Sequence, residues 1–361
     1  MEKSPNASIE GQTKDSSLYL VDILKWVFSV CVVAIHTQLV GRQWEELFDL
    51  KPSVGIRFWD NSFDLLCILA VPFFLMISAY LIMLRFDWNK DCENNFKVLS
   101  NSCRKMFKLY FVWSLIYIIP TFLVFLVLGC SVPKSALLLI VSIAIGGIGG
   151  STHLWYVLAM ALILLFMTFV IGKRSSLLWI PTVLSVIFFA LFVYLRLGPF
   201  YSTEDVIKDL VQDNLLNILK SMILFCLGTL TARDKCIKKG FVYAPTWLKG
   251  LLFFISFFGV VTFCVVTDYK LSDVFFASTL CGYLLFMWVI SIDFKGPSGI
   301  NIIFRNLSTY VYFTHIWVFF VEKIFIRKNH YVLDFVLVTI GSNLVAACIL
   351  FFKKRKKEKA S

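Results

Sequence analysis

Residues 18 to 40, LYLVDILKWVFSVCVVAIHTQLV, form an apolar run that carries three ionisable side chains, Asp22, Lys25 and His36. About 20 helical residues at ~1.5 Å each cross the ~30 Å hydrocarbon layer, so the run predicts a transmembrane helix. A charge inside such a helix costs on the order of 2.5 to 3.5 kcal/mol on insertion scales, which turns these residues toward a protein interior or a wet cavity. Lys25 and His36 are eleven positions apart. That is about 1100° of helical rotation, leaving them within ~20° of one face and ~16 Å apart along the axis. One stripe therefore presents a cation near one membrane surface and an imidazole near the other. Asp22, one turn before Lys25, is expected to neutralise that cation through an i, i+3 pair. Plain snorkelling of Asp22 and Lys25, with His36 as a polar helix end, is the structural alternative.

The rest of the chain is of the same kind. Its 361 residues are 59% hydrophobic and include 37 Phe, and the mean hydropathy is +0.80, against an apolar share of about 45 to 50% in soluble domains. The fold class is therefore all-α, a polytopic membrane helical bundle. Further spans are expected near 63–84, 106–128, 153–172, 176–195, 211–232, 248–267, 274–292, 303–326 and 332–352, about ten transmembrane helices with the first. The net charge of +12 does not point to nucleic acid, because the basic residues are scattered in short loops between apolar runs. The ten cysteines show no C-x-x-C pair and no His at zinc spacing. They read as core residues, with no disulfide framework and no metal implied.

Charge also orients the chain. If the Gly-ended apolar stretch 135–150 does not span, 23 of the 35 Lys and Arg residues fall on the side of both termini and 10 on the other. This satisfies the positive-inside rule, with both termini cytoplasmic in a multi-pass cell-membrane protein. If the stretch spanned, the KKRKKEK tail would face outward. Residues 135–150 are therefore expected to form one re-entrant or outer-face helix leading into His153. Residues 1–17 read as a disordered cytosolic leader without a signal peptide, 18–352 as the membrane domain and 353–361 as a basic cytosolic tail. The polar segment 41–62 reads as a loop long enough to cover an opening.

A basic residue, ten residues and then His in the first span is similar to the signature of acyltransferase family 3; here it is Lys25, WVFSVCVVAI, His36. More of the chain resembles that family in the same order: VPFFLMISAYL at 71–81, RKMFKLYFVW at 104–113, HLWYVLAMALILL at 153–165, FCLGTL at 225–230 and STYVYFTHIWVFF at 308–320. The resemblance covers roughly residues 18–350. It implies a membrane O-acyltransferase that moves an acetyl group from cytosolic acetyl-CoA, its co-substrate, to a sugar hydroxyl of a cell-envelope or exported polysaccharide, or of a lipid-linked glycan precursor. It also implies that His36 is catalytic and Lys25 its essential companion. No esterase-like domain of the kind some members carry is expected after residue 352. The partners are then an acyl-CoA, a glycan acceptor and the lipid bilayer.

Acyl transfer to a hydroxyl needs a base for the proton and donors for the developing oxyanion. Imidazole suits the base near neutral pH, which makes His36 the first candidate, with Lys25 and Asp22 beside it. His153 stands before Leu-Trp-Tyr at a helix start, where an interfacial polar residue is also expected. His315 lies mid-span, with Glu322 two turns further out near a helix end and read as solvated. Lys220, Tyr156, Ser78 and Ser308 read first as snorkelling or interhelical packing groups. Arg104, Lys105 and Lys108 are either positive-inside residues or a grip on coenzyme A phosphates. Family members often carry Arg-x-Arg here, and Lys cannot supply a bidentate fork. A different function class, a transporter or flippase for a lipid-linked sugar, would use the same intramembrane charges, but the internal repeat it predicts is not visible.

Overall fold

The computed structural model describes residues 19–51, 53–88, 93–147, 149–198, 206–267, 275–294, 296–297, 299–326, 328 and 330–358, so the leader 1–17 lies outside the described residues. The chain is 85% helical, with no strand among the described residues. Its surface is inverted relative to a soluble protein. Val127, Phe169 and Val266 are 87, 76 and 76% exposed, while Ser29, Ser185, Ser221 and Ser342 are fully buried. Apolar side chains outside and hydroxyls inside are what a hydrocarbon solvent selects. Buried hydroxyls find their acceptors inside their own helices: Thr37, Thr168, Ser221, Thr231 and Ser342 each donate to the carbonyl four residues earlier.

The helices run in chain order as α1 (Tyr19–His36), α2 (Trp44–Leu47), α3 (Val54–Ile68), α4 (Ala70–Met83), α5 (Glu93–Ile116), α6 (Ile118–Val127) and α7 (Val132–Ile145). They continue as α8 (Trp155–Val170), α9 (Trp179–Leu197), α10 (Val206–Cys236), α11 (Thr246–Thr267), α12 (Phe275–Val289), α13 (Ile300–Phe325) and α14 (Tyr331–Glu358). Among the described residues seven helical stretches are long and apolar enough to cross a membrane, or eight if the bent pair α5 and α6 is one span. The shorter α12 and the more polar α13 bring the number to the expected ten, with α7 and α8 taken together.

Three segments differ from expectation. The span expected at 106–128 is not one helix: α5 and α6 meet at 51°. Pro120 explains the bend, since it has no N–H to give the carbonyl of Ile116 and its ring crowds that turn. The segment 41–62 is not an open loop, because α3 begins at Val54, where Ser53 caps it by accepting from the Ile56 N–H. Polar residues that suggested a loop tie the preceding turn down instead: Asp60 accepts from the Trp44 N–H at 3.0 Å and Asp64 from the Gly41 N–H at 2.8 Å. The last helix also continues to Glu358, so most of the basic tail is helical.

The chain divides into two compact units, one of residues 1–73 and 244–361, the other of residues 74–243. In the first, α1 packs against α13 and α14 around Val33, Val311, Val338 and Ala346. Positions 22, 25 and 36 of α1 meet 305, 308 and 315 of α13, so these two helices run parallel. Parallel spans are separated by an odd number of crossings. The seven apolar stretches between them satisfy this when α7 does not cross by itself.

In the second unit α5 packs on α8, α9 on α10 and α6 on α7. Gly228 of α10 lies so close to α4 that a Cβ would sit 2.2 Å from the Met76 carbonyl oxygen. Cys103 of α5 reaches the Ala161 carbonyl of α8 at 3.6 Å. The motif segments that are far apart in the sequence are thus neighbours in pairs.

Candidate active site

The site in the first unit is a seam between α1 and α13. At one end Asp22, 1% exposed, accepts from Arg305: Nε donates to Oδ1 at 3.0 Å and Nη2 to Oδ2 at 2.6 Å. This corrects the expected local pair. A planar guanidinium engages both oxygens, which a lysine one turn away along the same helix does not. Lys25, half-buried, is left without an ion pair among the described residues. One turn of α13 further on, Ser308 Oγ donates to the Lys25 carbonyl at 3.0 Å and fixes the register of the two helices.

At the other end the imidazoles of His36 and His315 lie with centroids 5.1 Å apart and planes inclined by 43°. His315 is fully buried, and its Nδ1 lies 3.2 Å from the Val311 carbonyl. A carbonyl only accepts, so Nδ1 carries the proton and Nε2 is the nitrogen able to take one. Tyr312 contacts the same ring at 6.1 Å. His36 ends α1 and is half-buried.

Beyond His315 the structure corrects a second reading. Glu322 is 9% exposed rather than solvated, and Asp334 is 1% exposed. Lys323 bridges them, 2.7 Å from Asp334 Oδ2 and 3.6 Å from Glu322 Oε2. On the side of α1 away from Lys25, an apolar groove of about 170 Å³ is lined by Trp26, Cys31, Ala34, Phe63, Cys67 and Phe335. None of the nine described cysteines is in a disulfide.

His153 belongs to the second unit, where it sits in a 3-10 turn, Gly149–Leu154, before α8. It is 1% exposed, with its ring edge-on to Tyr117 at 4.8 Å. Tyr156 and Ser78 approach to 3.4 Å. Arg104, Lys105 and Lys108 are exposed along the polar half of α5. Lys220 lies over the Phe192 ring at 5.4 Å, beside the Arg196–Asp213 pair.

Seam and fold together define an integral membrane protein with a cation, a buried ion pair and two imidazoles aligned along parallel helices. The family model described as an acyltransferase domain matches residues 18–351, and the chain belongs to that family, acyltransferase family 3. It is therefore a multi-pass membrane acyltransferase. No curated protein and no solved structure matches it. Among the described residues no group of three or more His, Cys, Asp or Glu is placed to hold a metal ion.

Arg305 was not singled out in the sequence, where it reads as one more inner-side basic residue. Its only signal was an intramembrane Asp in need of a bidentate partner.

Proposed function

We propose that this acyltransferase moves an acetyl group from cytosolic acetyl-CoA to a sugar hydroxyl of an envelope or exported polysaccharide, or of its lipid-linked precursor, with both termini in the cytoplasm. The observation that carries the reading is the His36–His315 contact at one end of a seam that has Lys25 near its other end. His36 is the base. It takes the acceptor hydroxyl proton as the oxygen attacks the thioester carbonyl; the C–S bond breaks, and the imidazolium returns the proton to the departing coenzyme A thiolate. His315, buried against it, holds the ring in place.

Lys25 lies ~16 Å from His36 along α1 and so does not reach the same carbonyl. The separation suits a donor stretched along the helix, with its anionic part toward Lys25 and its thioester toward His36. The basic cluster of α5 has one guanidinium and no Arg-x-Arg fork, so Arg104, Lys105 and Lys108 are proposed to hold coenzyme A phosphates largely as point charges.

The test is transfer of label from acetyl-CoA into the glycan fraction of membranes bearing the chain, beside His36→Ala and Lys25→Ala variants at equal protein level. Label that depends on His36 supports the assignment. No label in the presence of a competent acceptor removes the acetyl donor and directs attention to other acyl groups and to sugar transport.

A further inference from the structure

Many buried hydroxyls of this protein donate within their own helices, while those of Ser114, Thr121, Ser135, Thr229 and Thr339 have no hydrogen-bond partner among the described residues, and two of these five belong to one corner of the second unit. Thr121, 1% exposed, and Ser135, fully buried, have hydroxyl oxygens with no hydrogen-bond partner among the described residues. Leaving such a group unpaired costs about 1 to 3 kcal/mol. Thr121 follows the bend between α5 and α6, and Ser135 lies on α7, which packs against α6.

Helix α7 is inverted about this spot. The residues of Val132–Ile145 that it buries are Ser135 and Ser142, two turns apart on one face, whereas Leu137 and Ile140 are 61 and 66% exposed. After it the backbone leaves the helix at Gly146 and Gly147, both at positive φ, and turns through Ser151 into His153. Ser142 and Ser151 approach to 3.2 Å. Gly150 closes the turn onto the bend, where a Cβ would lie 3.0 Å from the Thr121 nitrogen. Irregular backbone at membrane depth occurs where it lines a cavity or a binding site.

We propose that the corner formed by Tyr117, Thr121, Ser135, Ser142, Ser151 and His153 is a binding site for a neutral polyhydroxylated ligand, the glycosyl part of the acceptor. Its chemistry selects that class. The corner offers hydroxyls, one imidazole and an aromatic ring, and none of these side chains is a lysine or arginine that would select an anion. The hydroxyls of Thr121 and Ser135 acquire partners only when a sugar is present. This inference rests on the acyltransferase reading for the identity of the ligand, and its test is separable from that reading.

The full chain is purified in a sugar-free detergent as Ser135→Cys and, in parallel, as Thr121→Cys. Alkylation at each position by iodoacetamide is followed by peptide mass spectrometry, with methyl hexosides or phosphate added. A neutral glycoside is expected to slow alkylation at both positions severalfold, and phosphate to have no effect. Adding Thr121→Val to Ser135→Cys should weaken that protection about fivefold, the worth of one hydrogen bond. Absence of alkylation at both positions means a sealed corner, and alkylation that no glycoside slows means one that holds only water; either overturns the proposal. Acetyl transfer is measured on the parent preparation. Transfer without protection removes this site alone, whereas protection without transfer removes the acetyl donor and leaves a sugar site.

Discussion

Arg305 holds Asp22 through contacts of 2.6 to 3.1 Å although 283 positions separate them. The carboxylate is buried and the guanidinium half-exposed, with side-chain exposures of 2 and 44%. The hydrogen bonds to Asp22 thus come from Arg305 of α13, and no ion pair joins Asp22 to Lys25 among the described residues.

Removing one partner should therefore be worse than removing both. Arg305→Ala leaves a buried carboxylate without its fork, at a cost of about 2 kcal/mol, between the values for exposed and buried pairs. The double variant Asp22→Ala/Arg305→Ala should recover part of that. Thermal unfolding of the detergent-solubilised protein checks it; simple additivity would mean that the pair does not couple α1 to α13.

His36→Ala should lower acetyl transfer by about 10² to 10⁴-fold, the usual worth of a positioned base, without lowering the unfolding temperature. His315→Gln should lower kcat less and leave the donor KM unchanged, because His315 acts through the neighbouring ring. Equal losses from both variants would instead make the imidazoles one relay.

Lys25→Met should raise the acetyl-CoA KM and reduce its dependence on ionic strength, while Lys25→Arg retains most of both. Lys105→Ala and Lys108→Ala, on the exposed face of α5, should give smaller effects of the same sign. A loss of kcat at unchanged KM would place Lys25 in the chemical step.

Two glycines should respond differently to alanine. At Gly147, with φ +95°, a Cβ would fall 2.0 Å from the Ser151 carbonyl oxygen, so Gly147→Ala should disrupt the turn before His153. At Gly41, with φ +81° and nothing within 4 Å, the cost should be the left-handed penalty alone, about 1 kcal/mol. Comparison of their unfolding temperatures reads the difference.

The spans were legible because an apolar run of membrane length needs no tertiary knowledge. Helix α1 with its Asp22, Lys25 and His36 stripe is the clearest case. The start of α3 was hidden because Arg57, Asp60 and Asn61 look like loop residues; Asp60 serves the Trp44 N–H, a partner found only after folding. Lys249 stands at the start of the span expected over 248–267, and periodicity does not show that it is buried in α11 and donates to Ser291 Oγ at 2.6 Å. The helical extension of α5 back to Glu93 was hidden for the opposite reason, being polar on most sides. Of the seam, the sequence revealed one wall. That His36 meets His315 and that Asp22 belongs to Arg305 are facts of long-range pairing, to which helical periodicity is blind.

The parallel seam also sets an order on biogenesis. Helix α1 is made before α13, and 283 positions separate Asp22 from Arg305. Until α13 enters the bilayer, Asp22 faces lipid or a chaperone, and the imidazole of His36 lacks its neighbour. A nascent chain stalled before α13 would thus lack the His36–His315 contact and leave the Asp22 carboxylate without its guanidinium, so the unfinished protein differs from the finished one by a bare charge at the seam.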